Sequence, residues 1–255
     1  MNDAPSRRTA AILAIGDELL SGRTRDANTH FLAGWLTERG VALCEARIVG
    51  DDQGDIVAAL NALRARYDYV FTSGGIGPTH DDITVEAIAA AFDVPVIEHP
   101  KAMALIRSWY HSRGEEVTPA RARMARTPEG AVLIDNPVSG APGVRVGNVF
   151  VMAGVPRIFQ GMLAAVDGEI ERGVKIHSRA ATAVGLPESK IAEQLREIQS
   201  AIKDVAIGSY PIDGDEKGVT IVARSENPET ADAAITAVCA AMRALGVEPD
   251  MKDRN

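Results

Sequence analysis

The chain has 255 residues, 46% of them hydrophobic, and its 27 Lys and Arg against 35 Asp and Glu give a formal net charge of -8. That length can bury one large core or two ordinary ones, and two domains are expected. The acidic balance opposes long-range attraction of nucleic acid, so no nucleic-acid partner is expected, whereas a small phosphate compound held by local groups or a metal fits.

The two cysteines, Cys44 and Cys239, lie far apart without CxxC spacing. They make neither a disulfide framework nor a zinc knuckle, and a reducing, cytoplasmic location is expected. At the N-terminus Arg7-Arg8 precede TAAILAIG, but Asp17-Glu18 follow at once and no small-residue cleavage site appears, so the segment reads as a buried strand behind a polar tail. No apolar run approaches the ~20 residues that cross a bilayer, and no membrane partner is expected.

The predicted elements then alternate. AAILAIG (10–16) is a strand; DANTHFLAGWLTERG (26–40) is a helix with Asp26 or Asn28 near its start and Gly40 as its stop. VALCEARIVG is a second strand, DQGDIVAALNALRARY a second helix, DYVFTSGG a third strand, ITVEAIAAAF a helix and VPVIEH a short strand. This repetition predicts parallel pairing in a doubly wound, mostly parallel α/β sheet covered on both faces, with ligands at the carboxyl ends of the strands. Residues 100–127 read as helical and end in the basic stretch ARARMART. A strand and Gly/Pro loop (AVLIDNPVSGAPG), a hairpin turning at Gly147-Asn148 and a closing helix (VPRIFQGMLAAVDGEI) follow. A break near residues 171–173 divides the chain into domains 1–172 and 173–255. The second reads as a small α+β domain of order β-α-β-β-α, its two middle strands linked across DGDEKG.

The stretch with most chemical content is VFTSGGIGPTHDDITVEA. Gly74, Gly75 and Gly77 allow positive φ and carry no Cβ, so the amides of residues 74–77 can converge on an oxyanion beside a helix expected to begin near Asp82. The turn is neither a P-loop nor a GxGxxG fingerprint. Asp81 and Asp82 follow it, and further acids end strands on the same rim: Asp17-Glu18 and Asp51-Asp52. Any one of these reads equally as a helix cap or loop acid. Adjacent carboxylates beside a phosphate cradle make sense if a hard divalent cation, Mg²⁺ being expected, bridges them to the phosphate. His80 reads as a solvated loop histidine rather than a base.

Taken in order, IGDELLSG, DANTHFLAGWL, IVGDD, TSGGIGPTHDDITVEAIA, NPVSGAPG and MAGVPRIFQGM resemble the molybdopterin-binding (MoaB/MogA-like) domain of the CinA family over residues 9–170. The C-terminal part resembles that family's small KH-like linking domain, while the amidase domain of many members has no counterpart here, so deamidation does not carry over. The resemblance implies a MogA-like α/β/α domain that binds a nucleotide-like or pterin-like phosphate compound. By motif position it implies chemistry at Asp51 and Asp82, and a divalent metal held by Asp82, Asp81, Asp51 and Glu18. It also implies substrate binding by Gly74, Gly75, Ile76, Gly77, Thr79, Asn28 and Gly154.

The function this implies is metal-dependent hydrolysis of a nucleotide pyrophosphate such as ADP-ribose. The alternatives are a molybdopterin or nucleotide binding module without turnover, or a molybdopterin adenylyltransferase. MAGVP stands where the family usually reads LPGVP, and SGAPG where it reads GTAPG; both departures bear on substrate identity. The small domain lacks the GXXG loop of an RNA-binding KH module. The apolar strand VALCEARIVG and apolar helix faces predict a homo-oligomer, a dimer or trimer.

Overall fold

A computed structural model gives the structure of residues 7–212 and 217–252; the polar N-terminal tail and much of the DGDEKG link lie outside the described residues. The chain separates into two compact units, residues 1–173 and 174–255.

The first unit runs β1 (Arg8–Ile15), α1 (Asp17–Leu20), α2 (Asn28–Thr37), β2 (Val41–Val49), α3 (Gln53–Arg64), β3 (Tyr69–Ser73), α4 (Thr84–Ala91) and β4 (Val96–Glu98). It continues as α5 (Pro100–His111), α6 (Pro119–Arg123), β5 (Arg126–Pro128), β6 (Val132–Ile134), β7 (Gly143–Val146), β8 (Val149–Met152) and α7 (Pro156–Ala165), with a 3-10 turn at Asp167–Glu169. Six strands form one sheet in the order β2-β1-β3-β8-β7-β6. β1 pairs parallel with β2 and β3, and β3 with β8, while the β8-β7-β6 meander is antiparallel. Because β1 lies between β2 and β3, the winding reverses there, and a crevice opens at the carboxyl ends of those strands.

The apolar runs are continuous because both faces of the sheet are covered. Ala11, Leu13 and Ile15 pack with Ile56, Leu60 and Leu63 of α3 and Ile88 of α4. Ala10 and Ile12 point the other way, onto Leu32 and Leu36 of α2 and Phe159 and Leu163 of α7. On that second face Phe71 stacks on Phe150 with centroids 5.1 Å apart, and truncating either to Ala costs about 3–5 kcal/mol.

Three expectations need correction. VPVIEH does not extend the main sheet: Val96–Glu98 pairs antiparallel with Arg126–Pro128 in a separate two-stranded ladder. Residues 100–127 are not one helical stretch, since Gly114 (φ 70°) follows the end of α5 and Thr118 caps a new helix with Pro119 at its first position. The helix after the glycine turn begins at Thr84, leaving Asp81 and Asp82 in the turn before it.

The second unit comprises β9 (His177–Val184), α8 (Glu188–Ala201), β10 (Ala206–Ile212), β11 (Gly218–Ser225), α9 (Pro228–Ala244) and β12 (Asp250–Lys252). Its sheet, β10-β11-β9-β12, is antiparallel throughout. Ala181, Val219 and Ile221 meet Ile191 of α8 and Ile235, Val238 and Met242 of α9. The expected β-α-β-β-α order is present, and β12 adds a strand that so short and polar a segment does not announce. Among the described residues no helix is long and apolar enough to cross a membrane.

Candidate functional site at the strand ends

The glycine turn is fixed by close backbone packing. Gly74 and Gly75 have φ of 113° and 67°. A Cβ on Gly74 would lie 2.2 Å from the Ile15 carbonyl oxygen, and one on Gly75 would lie 2.1 Å from Thr84 Oγ1. The Gly74 N–H donates to the Met152 carbonyl at 3.1 Å, and the Gly75 carbonyl accepts from the Thr84 N–H at 3.0 Å. The Thr84 hydroxyl donates to the Gly74 carbonyl at 2.9 Å. These bonds hold the turn between β1, β8 and α4. Among the described residues the N–H groups of Gly75, Ile76 and Gly77 have no protein acceptor. Successive amides without a protein acceptor at the end of a buried strand are groups of the kind that can bind an anion.

The loops after β1 and β2 are tied to each other. The Asp17 N–H donates to Asp51 Oδ2 at 3.0 Å, and the Asp51 N–H donates back to Asp17 Oδ1 at 3.4 Å. Gly50 is small for this reason, since a Cβ there would stand 2.5 Å from Asp17 Oδ1. The Glu18 carboxylate folds back over Gly16, its Oε2 2.4 Å from the place a Cβ would take. Burial pushes the Asp51 carboxyl above its ordinary value; the charges of Asp17, Glu18 and Asp81 push it the same way, against the Asp17 N–H.

Asp52 has a structural part, capping α3 by accepting from the Asp55 N–H at 3.0 Å. Asp82 is also engaged locally: its Oδ2 accepts from the Thr79 N–H at 2.8 Å and from the Thr79 hydroxyl. The Asp82 carboxylate lies where a Cβ on Gly77 would go, 2.6 Å away. His80 is exposed. Asn28 is buried and donates through Nδ2 to Ser73 Oγ and to the Gly154 carbonyl, both at 2.7 Å. Asp26 accepts from the Asn28 and Thr29 N–H groups at the start of this helix, and among the described residues Asn28 Oδ1 has no hydrogen-bond partner. Gly154 in turn faces Gly74, a Cβ there coming within 3.2 Å of the Gly74 Cα.

Thus the structure joins Asn28, Ser73 and Gly154 beside Gly74, and places Asp51 in the field of Asp17, Glu18 and Asp81. Asp82 stays with Thr79 and Gly77. Among the described residues no group of three or more His, Cys, Asp or Glu side chains is arranged to hold a metal ion. Sequence reasoning did not single out Thr84, whose hydroxyl anchors the turn; its place in the first turn of an apolar helix looks like ordinary capping chemistry. It also left Asp17 as the lesser partner of Glu18, because only the pairing of β1 with β2 sets it against Asp51.

Residues 11–170 match the family described as "Probable molybdopterin binding domain". The crystal structure of the protein CinA, with unknown function, from Thermoplasma acidophilum is 33% identical with a TM-score of 0.59, covering 64% of this chain and 98% of that one. The chain belongs to the CinA family. A CinA-like protein of Gloeobacter violaceus is 34% identical over 252 residues, 95% of this chain, which spans only 58% of that relative's length. A protein from Pyrobaculum calidifontis is 35% identical over 90% of this chain and 92% of its own length. Residues 175–250 are similar to the FAD synthase middle domain. The strand-end crevice falls within the molybdopterin-binding-type domain of this CinA-family chain.

Proposed function

We propose that this protein hydrolyses a nucleotide pyrophosphate such as ADP-ribose in a metal-dependent reaction. The observation that carries this reading is the run of unpaired amides at Gly75, Ile76 and Gly77, on the same rim as the carboxylates around Asp51. The donor set suits a hard cation: the available side-chain ligands are oxygens, and Mg²⁺ keeps several waters and needs few protein ligands. A bound positive charge would offset the burial that raises Asp51 and, with it, the repulsion from Asp17, Glu18 and Asp81. In this reading Asp51, Glu18, Asp81 and Asp82 would close around the ion as it binds, since no such cluster is ready among the described residues, and the ion would supply charge neutralisation and a water of lowered pKa. The chain's own work is positional. The three amides hold the diphosphate, and Asn28 Oδ1 accepts from a hydroxyl or amine of the ligand. Water adds to one phosphorus, the bridging P–O bond breaks with its electron pair leaving on the second phosphate, and the proton passes to solvent.

Incubation with ADP-ribose and Mg²⁺, followed by chromatography, tests this: AMP and ribose phosphate are the expected products. A second reading, binding without turnover, draws support from the want of a ready cluster of three acids among the described residues. Tight ADP-ribose binding with no product would establish it. Adenylyl transfer to molybdopterin in place of hydrolysis would instead support the adenylyltransferase reading.

A further inference from the structure

Beside the glycine turn lies a small open cleft whose lining includes Ile76, Gly77, Glu86, Arg123 and Arg126. Arg123 closes α6 and Arg126 opens β5, so both come from the basic stretch RARMAR, while Glu86 comes from α4. Arg123 Nη2 donates to Glu86 Oε1 at 3.2 Å and to the Asp82 backbone carbonyl at 3.3 Å. Arg126 Nη1 lies 2.7 Å from the same Glu86 Oε1. Two guanidinium groups therefore share one carboxylate oxygen. The Asp82 carboxylate also borders the cleft, but Thr79 occupies its Oδ2.

Stability does not account for this arrangement. The side chains remain 26–36% exposed, and ion pairs of that kind contribute about 0–1 kcal/mol, against the repulsion of bringing two cations together. Each guanidinium carries five donors in a planar fork suited to phosphate oxygens, and most of these are unused here. Both arginines line the cleft that Ile76 and Gly77 border, and these are two of the three turn residues whose amides have no protein acceptor among the described residues.

We infer that Arg123 and Arg126 form a subsite for the second phosphoryl group of a nucleoside diphosphate, adjacent to the first phosphoryl group on the amides of residues 75–77, with Glu86 holding the guanidinium pair until ligand displaces it. The inference rests on the reading that the turn binds phosphate. It assigns the ligand a direction, with its acceptor-rich end on the α4 side of the turn, and makes Glu86 a competitor of the ligand.

Calorimetric titration of AMP and ADP into the full-length protein in EDTA tests the subsite. The wild type should bind ADP about tenfold or more tightly than AMP, the increment that one or two charge-assisted hydrogen bonds supply. Arg123→Ala should reduce the ADP/AMP ratio toward one, and Arg126→Ala should reduce it several-fold. Arg123→Lys keeps the charge without the fork; it should lose part of the ratio and serves where the truncation does not fold. Glu86→Gln should tighten ADP binding several-fold. If the wild type binds AMP and ADP equally, the subsite is overturned while the turn remains a phosphate site. If it binds neither in EDTA nor with Mg²⁺ supplied in its place, the turn reading falls as well. A Glu86→Gln variant with a lowered Tm and unchanged ADP affinity, together with unchanged ratios in the Arg variants, would reduce the trio to a structural bracket and refute the inference.

Discussion

Gly74→Ala probes the assembly of the site most directly. The residue sits at φ 113°, and the added Cβ would stand 2.2 Å from the Ile15 carbonyl oxygen, a backbone atom of the interior strand β1. A side chain could rotate away from such a contact, but a strand carbonyl fixed in the sheet cannot. A non-glycine residue in so sparsely populated a conformation costs about 1–3 kcal/mol, and forcing atoms into a closed space adds about 1–3 kcal/mol. A total of about 2–6 kcal/mol corresponds, at roughly 2–4 °C per kcal/mol for a domain of this size, to a Tm lower by about 4–24 °C. Relief by turn displacement would also break the Thr84 and Met152 anchors and scatter the amides of residues 75–77, so AMP affinity should fall with Tm.

Gly34→Ala provides the opposite control. Gly34 lies in α2 with nothing within 4 Å of a Cβ, so Ala should stabilise by about 0.5–1 kcal/mol. Paired thermal melts and AMP titrations decide the matter. A Gly74→Ala protein that melts within 1 °C of wild type with intact AMP affinity would refute the geometry of the turn and the reasoning built on it.

The other predictions concern acids and assembly. Asp51 is raised in the folded state, so its unfavourable contribution is absent at pH well below the ordinary aspartate value and grows as pH rises through the raised one; Asp51→Asn should melt above wild type at pH 7–8, with the gap closing below about pH 4. A constant gap across that range would contradict the cause given for the shift. Asp82→Asn keeps an acceptor for Thr79 and should hold stability to within about 0.5 kcal/mol while abolishing turnover; full turnover in that variant removes Asp82 from the metal set. β2 is an edge strand whose Ile48 is 45% exposed, with Leu20 of α1 59% exposed, and a homo-oligomer is expected; light scattering that returns the monomer mass at micromolar concentration would count against it.

The local pattern of this chain determined a good deal. Continuous apolar runs such as AAILAI and VFTS mark strands buried on both faces, the alternation with amphipathic helices marks parallel pairing, and Gly74-Gly75 marks a turn that only glycine can make. These signals are legible because propensity, periodicity and positive φ are properties of a few adjacent residues. The remainder depends on partners far along the chain. Val96–Glu98 is a strand by composition, yet its ladder partner thirty residues on takes it out of the main sheet. Asp51 and Asp82 look equivalent as acids after strand-end turns, but the pairing of β2 with β1 places Asp51 against Asp17, whereas Asp82 finds Thr79 three residues away. Asp-Met-Lys becomes β12 only because β9 offers it an edge. Arg123 and Arg126 are basic residues in any reading; their convergence on one oxygen of Glu86 follows from packing α6 and β5 against α4, about forty residues earlier in the chain. Sequence set which groups were available, and the tertiary fold set which of them meet, because charge and hydrogen bonding act over a few ångströms in space regardless of separation along the backbone.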